Sequence, residues 1–332
     1  MRVNEGLAAL SQRRLLIVTG KGGTGKTTIA AALGLLTARQ GIDTVVIELG
    51  ETPLLPRLLS DDPATLQTDG GRDPIQLAPH LFTLRIVPEV ALIEYLELQL
   101  RVRRIVNAVV RNKGFRRMLD AAPGWRALIT LGKLWYLQSR MQGERPRWPL
   151  LIVDGPATGH GISFLSVPKV VLDSVQLGPL RRHTDWVQDL LQDPQRTLVL
   201  PVTLAEELPV SETLELCARM AGLGMTIGPV IANAVEPGPE LPQLETVLST
   251  LARLTPPARD APLLDPELLR TCVEYRVRRS SLQRGFLKQL ERGCGSSIVS
   301  LPYLVHAIEN PASLAPLAKH LKRALAGWEM PA

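Results

Sequence analysis

Gly20-Lys21-Gly22-Gly23-Thr24-Gly25-Lys26-Thr27-Thr28 is the stretch that decides how this chain folds. It fits the P-loop pattern G-x-x-x-x-G-K-[ST], and its flanks have the character that the pattern needs. Leu15-Leu16-Ile17-Val18 before it is a short apolar run that reads as a buried strand. Ile29 to Arg39 after it reads as an Ala/Leu-rich helix closing near Gly41. Small glycines let backbone N–H groups wrap phosphate oxygens, and a helix N-terminus adds free donors and a favourable dipole. Gly20, Gly22, Gly23, Thr24, Gly25 and Thr28 are therefore expected to surround the phosphates of ATP. Lys26 is expected to reach the β- and γ-phosphates, and the Thr27 hydroxyl to ligate Mg²⁺.

Outward from the loop, strands alternate with helices, which argues for a doubly wound, mostly parallel sheet with helices on both faces. Thr44 to Glu48 reads as the second strand and Leu81 to Val87 as a third. Leu49 to Asp73 is rich in Pro, Gly and Asp and reads as a loop with at most short helices. From Pro88 to Pro149 the pattern becomes helical. Val102, Ile105, Val106, Val109 and Val110 recur at helical spacing, and Arg101, Arg103, Arg104 and Arg111 lie opposite. A solvated face over a packed helix is the favoured reading of that basic stripe, with an acidic partner or anionic surface as the alternative. Trp125 and Trp135 are expected in a core or lining a groove. Leu150 to Val153 is an apolar strand ending in Asp154. An aspartate at the carboxyl end of a parallel strand beside a P-loop aligns a magnesium shell, here expected to reach the ion through water, and Gly155 to Gly161 reads as a flexible γ-phosphate-sensing loop. Thr184 to Leu191 and Leu264 to Arg292 read as helices, and Ile298 to Pro302 as a last strand.

The chain has 332 residues, a net charge of +6 and three cysteines, Cys217, Cys272 and Cys294. That length supports one large domain or a core with an insertion. The basic balance suits nucleotides or anionic lipid but also plain solubility. No C-x-x-C pair occurs, so neither a zinc clasp nor a disulfide frame is indicated, and Cys217 is expected in the core. Met1 to Arg14 lacks the apolar segment of a secretion signal and no window is long enough to span a membrane, so a cytoplasmic protein is expected. There is one P-loop, so any two-site machine must be a dimer.

Three motifs carry a family resemblance. Lys21, just after the first glycine, resembles the extra lysine of the deviant Walker A loop of dimeric P-loop ATPases: the arsenite-transport (ArsA) and tail-anchored-protein-targeting ATPases, the MinD/ParA positioning ATPases and the nitrogenase iron protein. Asp154-Gly-Pro-Ala-Thr158-Gly159-His160 resembles the switch II run of the ArsA/tail-anchored-targeting branch, and Pro209-Val210-Ser211-Glu212-Thr213 resembles its Pro-Val-x-Glu-Thr segment. Ile231-Ala232-Asn233 is similar to its Val-x-Asn run, in which the asparagine reads adenine. The resemblance spans roughly Arg13 to Leu321. It implies one P-loop NTPase domain over residues 1–332, with a helical subdomain inserted at 88–147 together with roughly 162–192. It further implies a homodimer in which Lys21 reaches the partner's ATP, with ATP-driven opening and closing of the helices around a client with a hydrophobic segment. Nucleic acid is not an expected partner.

The chain also departs from that family. The loop after the second strand carries an aspartate there that positions the attacking water; here the run is Ile47-Glu48-Leu49-Gly50-Glu51-Thr52-Pro53. Glu48 or Glu51 is the candidate replacement, because water orientation needs only a carboxylate in reach; slow hydrolysis is the alternative. The Met-rich client groove is reduced to Met118 and Met141, and clustered thiols for a metalloid are missing from the insert. Leu314, Leu317, Leu321, Leu325 and Trp328 form an apolar face opposite Lys319, Lys322 and Arg323. A closing helix packed on the core is the favoured reading; a MinD-type membrane-binding tail is the other.

Overall fold

The computed structural model describes residues 5–50, 53–62, 71–100, 106, 112–121, 124–237, 246, 249–250 and 266–328. Its centre is the strand β1 (Leu15–Gly20), flanked on one side by β7 (Leu150–Ala157) and on the other by β8 (Thr197–Leu204), both parallel to it. The remaining strands of the main sheet are β2 (Thr44–Glu48), β3 (Ile75–Ala78), β4 (Leu81–Arg85), β9 (Val230–Val235) and β10 (Ile298–Pro302). The order across the sheet is β10-β9-β8-β1-β7-β2-β4-β3. A small hairpin pairs β5 (Met141–Gln142) with β6 (Arg145–Pro146).

Continuous apolar runs become strands buried on both faces, because successive side chains alternate sides. Leu16, Val18, Val46, Leu150 and Ile152 enter one core, while Leu15, Ile17, Val45, Ile47, Leu151 and Val153 enter the other. The first core is closed by α1 (Glu5–Ser11), α2 (Lys26–Ala38), α3 (Leu55–Leu59) and α11 (Pro311–Leu325). The second is covered by α6 (Trp125–Ser139), α8 (Pro179–Gln192) and α9 (Glu207–Gly222). Beside them, α7 (Thr158–Ser174) contacts β1 and β7 and puts Leu165 into the same core, α4 (Pro88–Leu100) packs on α6, α5 (Lys113–Ala121) follows, and α10 (Pro266–Gly293) packs along α9.

The sequence pattern missed one element and misread another. The edge strand β3 runs antiparallel to β4, with Ile75 opposite Thr83, over residues to which the pattern assigned nothing. Its four residues are too few for alternation to announce it, although Leu77 and Ala78 pack against the first core; its turn puts His80 at φ 62, with Nδ1 2.7 Å from Asp43 Oδ1. The segment after Asp154 is not a loop. Strand β7 continues to Ala157, Ala157 pairs with Gly20, and a helix begins at Thr158. Thr19 Oγ1 donates to the Pro156 carbonyl at 3.0 Å, which holds that segment against β1.

The tail follows the packed reading. Leu314, Leu317, Leu321, Leu325 and Trp328 are buried, and Asn310 and Ser313 form a capping box at the start of α11. Cys217 is buried, with its Sγ 3.2 Å from that of Cys294. The residues of the basic stripe from Arg101 to Arg111 lie outside the described set, apart from Val106, which is buried. No helix among the described residues is long and apolar enough to cross a membrane.

Candidate functional site

The P-loop leaves β1 at Gly20 and enters α2 at Lys26, so the helix N-terminus faces the loop. Gly25 has φ 93, in the left-handed region, and a Cβ there would lie 2.4 Å from Asn233 Nδ2. Only glycine lets the asparagine from β9 approach the loop, where Nδ2 donates to the Thr24 carbonyl at 3.0 Å. Thr24 Oγ1 donates to the Lys21 carbonyl at 2.9 Å, and Lys26 Nζ donates to the same carbonyl at 2.9 Å. Lys26 is thus folded over its own loop. Gly22 and Gly23 border open space, with no atom within 4 Å of where a Cβ would stand. Thr28 follows Thr27 in the first turn of α2.

Thr27 Oγ1 donates to Asp154 Oδ2 at 2.6 Å, across the junction of α2 and β7. The other oxygen, Oδ1, is buried without a hydrogen-bond partner, as is the nearby Thr158 Oγ1. Buried polar atoms are rarely orphaned, and such an atom asks for a water or an ion. Burial raises the Asp154 carboxyl above its usual value; the Thr27 hydrogen bond and the Lys26 charge oppose that rise. Burial also lowers the Lys26 ammonium, against the pull of Asp154. An unpartnered carboxylate oxygen beside a hydroxyl, facing a helix N-terminus, is hard oxygen chemistry that fits Mg²⁺. Magnesium needs only one or two carboxylates when phosphates complete its shell.

Glu48 ends β2 directly opposite Asp154 in the parallel register. It is 3 % exposed, and its Oε1 accepts from the backbone N–H of Leu54 at 2.6 Å and Leu55 at 3.4 Å. Burial raises its carboxyl, and the charge of Asp154 adds to the rise, while the two N–H groups and Arg85 oppose it. Glu51 lies outside the described residues. Lys21 does not point at the phosphate cradle of its own loop; it forms an ion pair with Glu212 in the first turns of α9. His160 is exposed near the start of α7. Glu212 is the site residue that the sequence left without a role. Its Pro-Val-Ser-Glu-Thr context marked it, but nothing in the spacing connects it to a loop so far upstream.

The architecture thus gathers Lys26, Thr27, Asp154, Glu48 and Asn233 around one glycine loop at the carboxyl ends of the central strands, where open parallel sheets bind ligands. Comparison with known proteins agrees with that arrangement. Residues 13–182 match the family model described as anion-transporting ATPase. The ATPase BagA of Mycobacterium tuberculosis is 34 % identical over 235 residues, covering 70 % of this chain and 68 % of BagA. The arsenical pump-driving ATPase of Escherichia coli is 27 % identical over 260 residues, 72 % of this chain but 40 % of the pump protein. The ATPase GET3C of Arabidopsis thaliana is 22 % identical over 280 residues, 70 % of each chain. With half of its length matched by the family model and the phosphate-loop geometry in place, the chain belongs to the anion-transporting ATPase family.

Proposed function

We propose that this protein is an ATP-hydrolysing homodimer whose nucleotide state opens and closes a helical subdomain, residues 88–147 with roughly 162–192, around an apolar partner. The observation that carries the reading is the Thr27–Asp154 contact, with Asp154 Oδ1 buried and unpartnered. Thr27 and, through water, Asp154 would hold Mg²⁺, which supplies charge neutralisation at the β- and γ-phosphates. Lys26 would leave the Lys21 carbonyl for the phosphate oxygens. Asn233, already against the loop, would read the adenine edge, since one amide both donates and accepts.

Lys21 would exchange Glu212 for the triphosphate of the partner copy. A cation brought to where leaving-group charge develops lowers the barrier electrostatically. Glu48 or Glu51 would orient the attacking water. Glu48 also ties the start of α3 to the end of β2, so it would report the state of the site to that helix.

Steady-state hydrolysis with parallel binding of a fluorescent ATP analogue tests this reading. Lys26→Ala is expected to abolish binding. Lys21→Ala is expected to keep binding but lose turnover by about 10²- to 10³-fold, the scale of one transition-state donor. Equal hydrolysis by the Lys21 variant would remove the cross-subunit role. At least one of Glu48→Gln and Glu51→Gln should slow hydrolysis about tenfold or more, a barrier change of about 1.4 kcal/mol; unchanged rates in both would remove the water-positioning assignment.

A further inference from the structure

A cavity of ≈ 470 Å³ opens between α4, α5, α6 and α8, on the far side of the second core from the P-loop. Its walls are apolar and aromatic. Trp135 and Trp186 stack with ring centroids 4.8 Å apart and planes at 13°, and Trp125 also faces the space. The mouth exposes Leu98 and Leu180.

Gly132 lies on this wall, in the middle of α6. A Cβ at that position would meet no atom within 4 Å. Alanine would therefore fit without a clash and would be the better helix former. What the glycine provides is room, because any side chain there would enter the cavity.

The polar groups on the walls are few, and the charged ones are paired. Lys133 Nζ donates to both oxygens of Glu94, at 2.8 and 2.6 Å, and to the Arg72 carbonyl at 2.7 Å. All three ammonium protons are used and the pair is neutral. Tyr95 Oη lies 2.8 Å from His183 Nδ1. Burial and the Arg182 charge lower the His183 imidazolium, so the ring is neutral near pH 7. The Tyr95–His183 pair retains hydrogen-bonding capacity for one more group, and the walls offer no unspent charge.

The cavity's volume falls inside the range of small-molecule sites.

We propose that the cavity beside Gly132 is a binding site for one compact, uncharged, mostly apolar molecule, ring-bearing and with few hydrogen-bonding groups. The proposal deepens the reading of the helical layer as the partner-holding part of the protein by naming the class of partner. Its site is physically separate from the nucleotide, so the two can fail independently.

The test uses the full chain without nucleotide and N-phenyl-1-naphthylamine, which is uncharged and carries two ring systems and one N–H. The probe is expected to bind saturably, one per chain, and to quench tryptophan emission. Gly132→Leu is expected to weaken binding tenfold or more with the circular dichroism spectrum retained, and Tyr95→Phe to weaken it severalfold. If Gly132→Leu does not fold, Leu98→Glu at the mouth takes its place and must weaken binding likewise. The anionic relative 8-anilinonaphthalene-1-sulfonate should compete poorly. Unsaturable binding, or unchanged affinity in a folded Gly132→Leu or Leu98→Glu variant, would overturn the proposal. So would one-for-one displacement of the probe by a 20-residue apolar peptide, because that would make the occupant a chain segment. Binding of a fluorescent ATP analogue, followed separately, reports on the nucleotide site alone.

Discussion

Asp154 shows how a site residue is held at a disadvantage until its ligand arrives. Its raised carboxyl pKa means that the folded, nucleotide-free protein holds a proton more tightly there than the unfolded chain does, and Glu48 behaves in the same direction. Their contribution to stability therefore falls as pH rises through the interval from the ordinary carboxylate value to the raised one. Asp154→Asn is expected to raise the melting temperature of nucleotide-free protein near neutral pH by about 1–2 °C, equivalent to about 1 kcal/mol for a chain of this size. The gain should shrink as the buffer is acidified through that interval, which differential scanning calorimetry at a series of pH values will follow. A gain independent of pH would mean that the orphaned oxygen costs nothing as a charge. The cis pairing of Lys21 gives a second expectation. Glu212→Gln frees the lysine, and should speed nucleotide-dependent association in stopped-flow light scattering; slower association would make Glu212 a contributor to the assembled state instead.

At the scale of elements, two helices answer to opposite rules. In α6, Gly132 borders empty space, so Gly132→Ala should stabilise the protein by about 0.5–1 kcal/mol through backbone entropy alone. In α11 the apolar face is fully spent on the core, so Leu321→Ala should cost about 2–5 kcal/mol. Urea unfolding of both variants checks the pair, and a loss on Gly132→Ala would show that the wall beside it is closed in solution. The sequence made α11 legible through its apolar spacing, β1 and β2 through unbroken apolar runs, and β10 through Val299 and Leu301 on either side of Ser300. It hid β3, because four residues are too few for a period of two to stand out. It also misled at Gly155 to Ala157, where Gly and Pro read as a loop although pairing with β1 extends the strand. Glycine and proline mark where a regular element can stop, and neighbouring strands decide whether it does.

For the molecule as a whole, the proposed dimer makes a clean statement about mass. Light scattering of the protein saturated with a non-hydrolysable ATP analogue and Mg²⁺ should give twice the monomer mass, and Lys26→Ala should remain monomeric under the same conditions. A monomer in the wild-type sample would remove the cross-subunit lysine and the motion built on it. The phosphate-binding half of the site was readable from one continuous stretch, since a loop and the helix it opens are local. The rest was assembled from Glu48, Asp154, Glu212 and Asn233, which four separate elements bring to one place. Asp154 was legible as the acid that ends an apolar strand, while only the family motifs marked Glu212 and Asn233, because packing a sheet is a non-local event.

The burial of α11 against α2 extends that non-locality to the order in which the protein is made. The helix that opens the phosphate loop leaves the ribosome well before the surface that seats its apolar flank, in α11, which follows even the strand that delivers Asn233. Nascent chains arrested before Pro311 should therefore fail to retain nucleotide on the ribosome, and those arrested with α11 fully outside the exit tunnel should acquire it abruptly. Competence to hold a triphosphate would then lag far behind synthesis of the motif that announces it.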